Sequence, residues 1–132
     1  MSSKKIKAAV IGLGYVGLPL LLLLQKKKCN AFGFDLDISK INRLKKNISY
    51  ISDISNKDLK IINKRNLFSM DEVENVSKCN YIIFCLPTPL KGQVPDMSFI
   101  ISAFNKIFDY LKENQTIILE STVYPGATND IF

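Results

Sequence analysis

An apolar, β-branched stretch from Ile6 to Ile11 runs directly into Gly12-Leu13-Gly14-Tyr15-Val16-Gly17, and a leucine-rich segment follows at once. The reading is a buried strand, a glycine turn and a helix over Tyr15 to Lys28. Glycines at this spacing also arise by chance, but between a strand and a helix each has a task. Gly12 permits the tight turn, Gly14 lets backbone N–H groups approach a pyrophosphate, and Gly17 lets the helix pack closely on the strand. The helix N-terminus adds partial positive charge where those phosphates would lie. The same stretch superficially offers the basic and apolar regions of a leader, with Lys4, Lys5 and Lys7 ahead of Ala8 to Leu24. The glycines and Pro19 interrupt it, and the unbroken run Leu20 to Leu24 is far short of the ~18 residues that span a bilayer.

A dinucleotide site of this kind needs an acid about 20 residues further on, at the end of the second strand. Asp35 lies 18 residues after Gly17, closing Ala31-Phe32-Gly33-Phe34. Its carboxylate would accept from ribose hydroxyls and repel the additional phosphate of NADP. Leu36 and Asp37 follow, with no Arg to reverse that preference. The motif therefore points to NAD. The plainer alternative is a packing turn with Asp35 as a helix N-cap.

Beyond this unit, Asn30 to Asp35 reads as a second strand. A helix carrying Ile38, Ile41 and Leu44 follows, capped by Asp37 or Ser39. A short helix from Ser55 turns Leu59 and Ile62 inward. Asn66 to Ser69 reads as a third strand, and Asp71 as the cap of a brief helix bearing Val73 and Val76. Tyr81 to Leu86 is a fourth buried strand, halted by Pro87-Thr88-Pro89. Ser98 to Asn114 is a helix on the spacing of Ile100, Ala103/Phe104, Ile107 and Leu111. Thr116 to Glu120 is a fifth strand. Phe99, Phe104, Phe108 and Tyr110 share the long helix, where core packing is the expectation for most of them. Strands alternating with helices predict a doubly wound parallel sheet of the Rossmann type in one α/β domain. The chain stops at Ile131-Phe132 where a new helix is due, which reads as a truncation.

Composition removes several chemistries. The 132 residues contain no His, so this chain supplies no His general base, Ser–His–Asp triad or His-ligated metal. The Cys at 29, 79 and 85 form neither a CxxC pair nor an even framework, and fit a reducing, cytoplasmic setting. The net charge of +6 comes mostly from Lys, with Arg only at 43 and 65. Without a basic–aromatic stripe, Lys4-Lys5 and Lys26-Lys27-Lys28 read as a solvated surface and not a nucleic-acid site.

Two more loops follow strands at their carboxyl ends, where doubly wound sheets bind ligands. They are Pro87-Thr88-Pro89-Leu90 and Ser121-Thr122-Val123-Tyr124-Pro125-Gly126. Pro87, Thr88, Ser121 and Thr122 are candidates for a nicotinamide pocket, and ordinary turn chemistry accounts for them equally well. Taken together, IGLGYVGLPL (11–20), GFDLD (33–37), PTPL (87–90), PDMS (95–98) and ESTVYPG (120–126) resemble the UDP-glucose/GDP-mannose dehydrogenase family. The resemblance is strongest to its branch acting on UDP-N-acetylhexosamines for surface polysaccharides.

That resemblance spans the whole chain but only the N-terminal NAD-binding domain, about the first third of such proteins. It implies oxidation of a sugar C6 alcohol to a carboxylate by two NAD in succession, through an aldehyde and an enzyme-bound thioester. It further implies that Gly12, Leu13, Gly14, Tyr15, Val16 and Gly17 meet the pyrophosphate, that Asp35 holds the adenosine ribose and that Lys40 flanks it. Thr88 would sit near the ribose and nicotinamide. Thr122 would be the one catalytic residue, holding a water beside C6. The nucleophilic Cys, and the segments through which members form homodimers, belong to the central-helix and C-terminal parts. Asn47 stands where members usually have Gly, and Ala127 where Thr is common. Two other readings are a non-catalytic NAD-binding module and a different Rossmann dehydrogenase, such as one acting on hydroxyacids or 3-hydroxyacyl-CoA.

Overall fold

A computed structural model describes residues 5–121 and 126–132. Its main sheet contains β1 (Lys7–Ile11), β2 (Asn30–Asp35), β3 (Leu67–Ser69), β4 (Tyr81–Phe84) and, after a small hairpin, β7 (Thr116–Leu119). All neighbours are parallel, in the order β3-β2-β1-β4-β7. The order reverses between β1 and β4, the switch point at which such sheets open a crevice beyond their carboxyl ends. The expected doubly wound architecture is the one observed.

Helices α1 (Gly17–Lys26), α2 (Ile38–Lys45) and α3 (Ser98–Ile107) make most of the connections, with short 3₁₀ turns among them, and α4 (Ala127–Ile131) follows the last strand. Strand alternation divides the apolar residues into two cores. Val10, Ile83 and Ala31 pack with Leu18 and Leu21 of α1 and Leu44 of α2. Ile11, Phe34 and Phe84 pack on the other face with Ile100, Ala103 and Ile107 of α3. A Cβ on Gly33 would lie 2.8 Å from Leu21 Cδ2, so this glycine lets α1 settle onto β2.

Several boundaries differ from the sequence reading. Helix α1 begins at Gly17 and not Tyr15, which puts Pro19 at its third position, where an N–H has no intrahelical acceptor. Asp37, not Ser39, caps α2, accepting from the Ser39 N–H at 2.9 Å. Asp71 is not a cap: the 3₁₀ turn at Val73–Lys78 starts after Glu72, without a side-chain cap, and Asp71 pairs with Lys106 at 3.7 Å. The long helix stops at Ile107 and tightens into a 3₁₀ turn over Phe108–Tyr110. Gln115 explains that ending, since its amide donates to the Val76 and Cys79 carbonyls while its carbonyl accepts from Lys112 N–H. The aromatic expectation fails too: Phe99, Phe108 and Tyr110 are exposed, and Phe104 alone of the four packs partly against the core. The hairpin of β5 (Leu90–Lys91) and β6 (Val94–Pro95), with Gly92 at φ 68°, was not foreseen.

Candidate functional site

A cleft of about 500 Å³ opens at the switch point, beyond the carboxyl ends of β1, β2 and β4. That volume is in the range that holds small-molecule ligands, ~300–1,000 Å³. Gly12, Leu13, Gly14, Tyr15, Val16, Asp35, Lys40, Pro87 and Thr88 all border it. Nine residues named from the sequence thus come together from four separate segments. The predicted Thr122 lies outside the described residues.

The three glycines separate by task. Gly12 leaves β1 with φ 96°, and its N–H donates to the Phe34 carbonyl at 2.8 Å. A Cβ there would meet the Cys85 carbonyl oxygen at 2.7 Å. Gly17 is buried behind the turn, and a Cβ on it would fall 1.6 Å from the Gly12 carbonyl oxygen. No real side chain fits that gap, so Gly17 fixes how closely α1 approaches β1. A Cβ on Gly14, by contrast, would meet nothing within 4 Å. Packing does not account for glycine at that position, and an open approach for a ligand does.

Asp35 is the described buried charged residue, 7% exposed at the end of β2. Its Oδ2 accepts from Leu13 N–H at 2.8 Å and its Oδ1 from Asp37 N–H at 2.8 Å. It is therefore not an N-cap; Asp37 performs that function. The two bonds aim the carboxylate along the cleft and couple it to the glycine turn, while each oxygen retains capacity for a further donor. Hydrogen bonds from the Ser39 hydroxyl and then its N–H hold the exposed Asp37 carboxyl below the usual carboxylate range. Helix α1 has no side-chain cap at its N-terminus and no acid in its first turn, so its positive end faces the cleft uncompensated. Lys40, half-buried on α2, is the cation of the lining.

Ser121 does not line the cleft. It is half-buried, and its hydroxyl donates to the Leu86 carbonyl at 2.8 Å, next to the loop that carries Pro87 and Thr88. The lining also includes Leu36, Cys85, Phe99 and Glu120, none of which the sequence singled out as site residues. Their positions after β2, β4 and β7 and at the start of α3 were legible, but not which would face inward. Cys85 lies just past β4 rather than within it, and burial, then the Glu120 charge, pushes its thiol up to about 11. Burial likewise pushes the Cys79 thiol up to about 12. Cys29 sits at the other end of the sheet, its thiol also raised by burial. None is disposed to act as a thiolate nucleophile.

Tyr50 is the other residue missed. Its hydroxyl donates to the carbonyl of Leu13 inside the glycine turn. No motif or periodicity marks it, because the contact depends on how the chain returns after α2.

Among the described residues, no His/Cys/Asp/Glu group could hold a metal ion, and no helix is long and apolar enough to cross a membrane. Similarity to known proteins agrees with the geometry. The UDP-N-acetyl-D-glucosamine 6-dehydrogenase of Pseudomonas aeruginosa is 37% identical over 128 residues, covering 96% of this chain and 30% of that protein. The enzyme of the same name from Salmonella typhi is 34% identical over 127 residues, covering 96% and 29%. The structure of the UDP-D-ManNAc dehydrogenase from Pyrococcus horikoshii superposes with a TM-score of 0.83 at 28% identity, covering 96% of this chain and 31% of that one. The chain thus spans about 30% of the length of the curated relatives it matches. The sequence profile of the UDP-glucose/GDP-mannose dehydrogenase family, NAD-binding domain, matches residues 6–132, and the chain belongs to that family.

Proposed function

We propose that the cleft binds NAD as the cofactor domain of a nucleotide-sugar 6-dehydrogenase, with a UDP-N-acetylhexosamine as the substrate class. The observation that carries this reading is the linked pair of Asp35 and the glycine turn: a carboxylate bonded to Leu13 N–H beside an unobstructed Gly14. In this reading the pyrophosphate rests on the turn and the positive end of α1. The adenosine ribose donates its hydroxyls to Asp35, Lys40 lies beside it, and Thr88 faces the nicotinamide end. Thr122, by resemblance, holds a water near the sugar C6. When bound, NAD supplies the acceptor for a hydride from that carbon. The protein's contribution is to fix the dinucleotide at the carboxyl ends of β1 and β4 and to exclude a 2′-phosphate. The substrate class follows from the relatives, a UDP-N-acetyl-D-glucosamine 6-dehydrogenase and a UDP-N-acetyl-D-mannosamine dehydrogenase.

The test has two parts. NAD should raise the melting temperature of the 132-residue chain by mass action, and NADP should raise it less. Equal shifts would remove the role given to Asp35. Mixed with NAD and UDP-N-acetylglucosamine, the same polypeptide should produce no NADH, because none of its thiols is placed and activated to form a thioester. Turnover that disappears in Cys85→Ser would overturn that division of labour.

A further inference from the structure

The peptide that precedes Gly14 is held by a residue that no part of the sequence motif contains. Asp35 takes the Leu13 N–H, and the Tyr50 hydroxyl takes the Leu13 carbonyl, so Leu13 is pinned on both sides. In a trans peptide the carbonyl and the following N–H point in opposite directions. Fixing the Leu13 carbonyl on Tyr50 therefore directs the Gly14 N–H the other way. Gly14 borders the cleft, and its virtual Cβ meets nothing.

We propose that Tyr50 is a positioning residue of the cleft: it aims the Gly14 N–H at the cofactor phosphates by holding the carbonyl of the same peptide. The inference rests on the NAD reading above and deepens it.

The segment carrying Tyr50 is set in place independently of any ligand. Ile51 and Ile54 are buried in the core beneath α1 and α2. Arg43 Nη2 donates to the Ser49 carbonyl at 2.6 Å, and the Ser49 hydroxyl donates to the Ile51 carbonyl at 2.9 Å. Lys40 Nζ and Arg43 Cζ lie 5.5 and 5.7 Å from the Tyr50 ring centroid, within cation–π range. The ring thus also fixes Lys40, a lining residue. Burial, with Asp35 and Asp37 nearby, raises the phenol well above its ordinary range. The hydroxyl consequently stays a donor at every working pH.

Tyr50→Phe removes only the hydroxyl and keeps the ring. In ¹⁵N-labelled protein without ligand, the Gly14 amide resonance should be displaced in the variant, while amides of residues 36–39 stay in place. Titration with NAD should give a Kd about three- to tenfold weaker than wild type, the worth of one neutral hydrogen bond. An unchanged Kd and Gly14 resonance, with only a lower melting temperature, would make Tyr50 a structural staple and overturn the proposal. If wild-type chain itself shows no response to NAD, the reading of the cleft falls first and this one with it. Should Tyr50→Phe not fold, the wild type decides: its Tyr50 ring and Gly14 amide must shift along one NAD isotherm. A Tyr50 signal indifferent to saturating NAD would sink the idea.

Discussion

The two ends of the sheet each carry a concavity, and the larger one is not the candidate site. At the amino ends of the strands a groove of about 770 Å³ is bordered by Lys5, Lys27, Lys28, Asn30, Asn63 and Asn66 among others. The cleft at the carboxyl ends is smaller, about 500 Å³. In the amino-end groove the amide side chains are spent on the fold. Asn66 Nδ2 donates to Asn30 Oδ1 and the Ala31 carbonyl, and Gln25 bridges the Ala31 carbonyl and Asn63 N–H. In the carboxyl-end cleft a helix N-terminus has no side-chain cap and a glycine faces open space. Volume is therefore a poor guide here. What separates the ends is that the amides of one are bonded within the protein, whereas the other keeps an uncapped helix N-terminus and an open glycine.

If that distinction is right, substitutions at the carboxyl end should divide sharply by position. The largest effect is expected at Gly17, where Ala would place a Cβ 1.6 Å from the Gly12 carbonyl oxygen. Relief requires moving α1 off β1, so Gly17→Ala should lose at least about 3 kcal/mol in urea unfolding. Three residues away the same kind of change should act oppositely. The Cβ of Gly14→Val meets nothing within 4 Å, so the melting temperature should hold within a few degrees while calorimetry detects no NAD binding. Wild-type affinity in this variant would show that the turn serves packing only.

A thiol offers a subtler probe of the same cleft. Cys85 borders it and titrates at about 11 because burial, and then Glu120, disfavours the thiolate. The raised value means the protonated, unreactive form dominates at neutral pH. Alkylation should therefore accelerate about tenfold per pH unit from 7 to about 10 without levelling off, and saturating NAD should slow it. Mass spectrometry of the Cys85 peptide checks both outcomes. A plateau near pH 8.5 would mean the residue is not desolvated as its position implies.

What the sequence made legible was local or periodic. The strand–glycine–helix unit and Asp35 could be read because one short segment carries both the residue types and their context. The parallel, helix-covered sheet followed from the alternation of elements, and its strand order did not. Asp71 and the helix ending at Asn114 misled for a common reason. Asp71 is a good cap in isolation but is drawn to Lys106, and Leu111 keeps helical spacing although Gln115 ends the helix from outside. Tyr50 was illegible because its partner is a backbone carbonyl 37 positions earlier. The departure at Asn47 does have a local explanation. It closes α2 at φ 57°, a left-handed position that Gly takes freely and Asn tolerates.

The smallest expected effect tests the amino end, and it uses the same helix-ending geometry. Lys28 follows α1 at φ 62°, with Lys28 N–H bonded to the Gln25 carbonyl and Cys29 N–H to the Leu24 carbonyl, each at 2.9 Å. These are the paired bonds of a Schellman ending, in which the left-handed residue is usually Gly. A Lys there bears a Cβ penalty of about 1–2 kcal/mol. Replacing it with Gly relieves that strain but gives the unfolded chain additional freedom, about 0.5–1 kcal/mol. Lys28 is exposed, so no packing is lost. Lys28→Gly should therefore gain roughly 0.5 kcal/mol net in urea unfolding. Asn47→Gly should gain as well, because it removes a buried Oδ1 that has no hydrogen-bond partner among the described residues, together with the left-handed Cβ. Neither should alter NAD affinity measured by calorimetry. Lys28 borders the amino-end groove, so a changed Kd in Lys28→Gly would mean that groove communicates with the cleft, and the separation of the two ends would have to be abandoned.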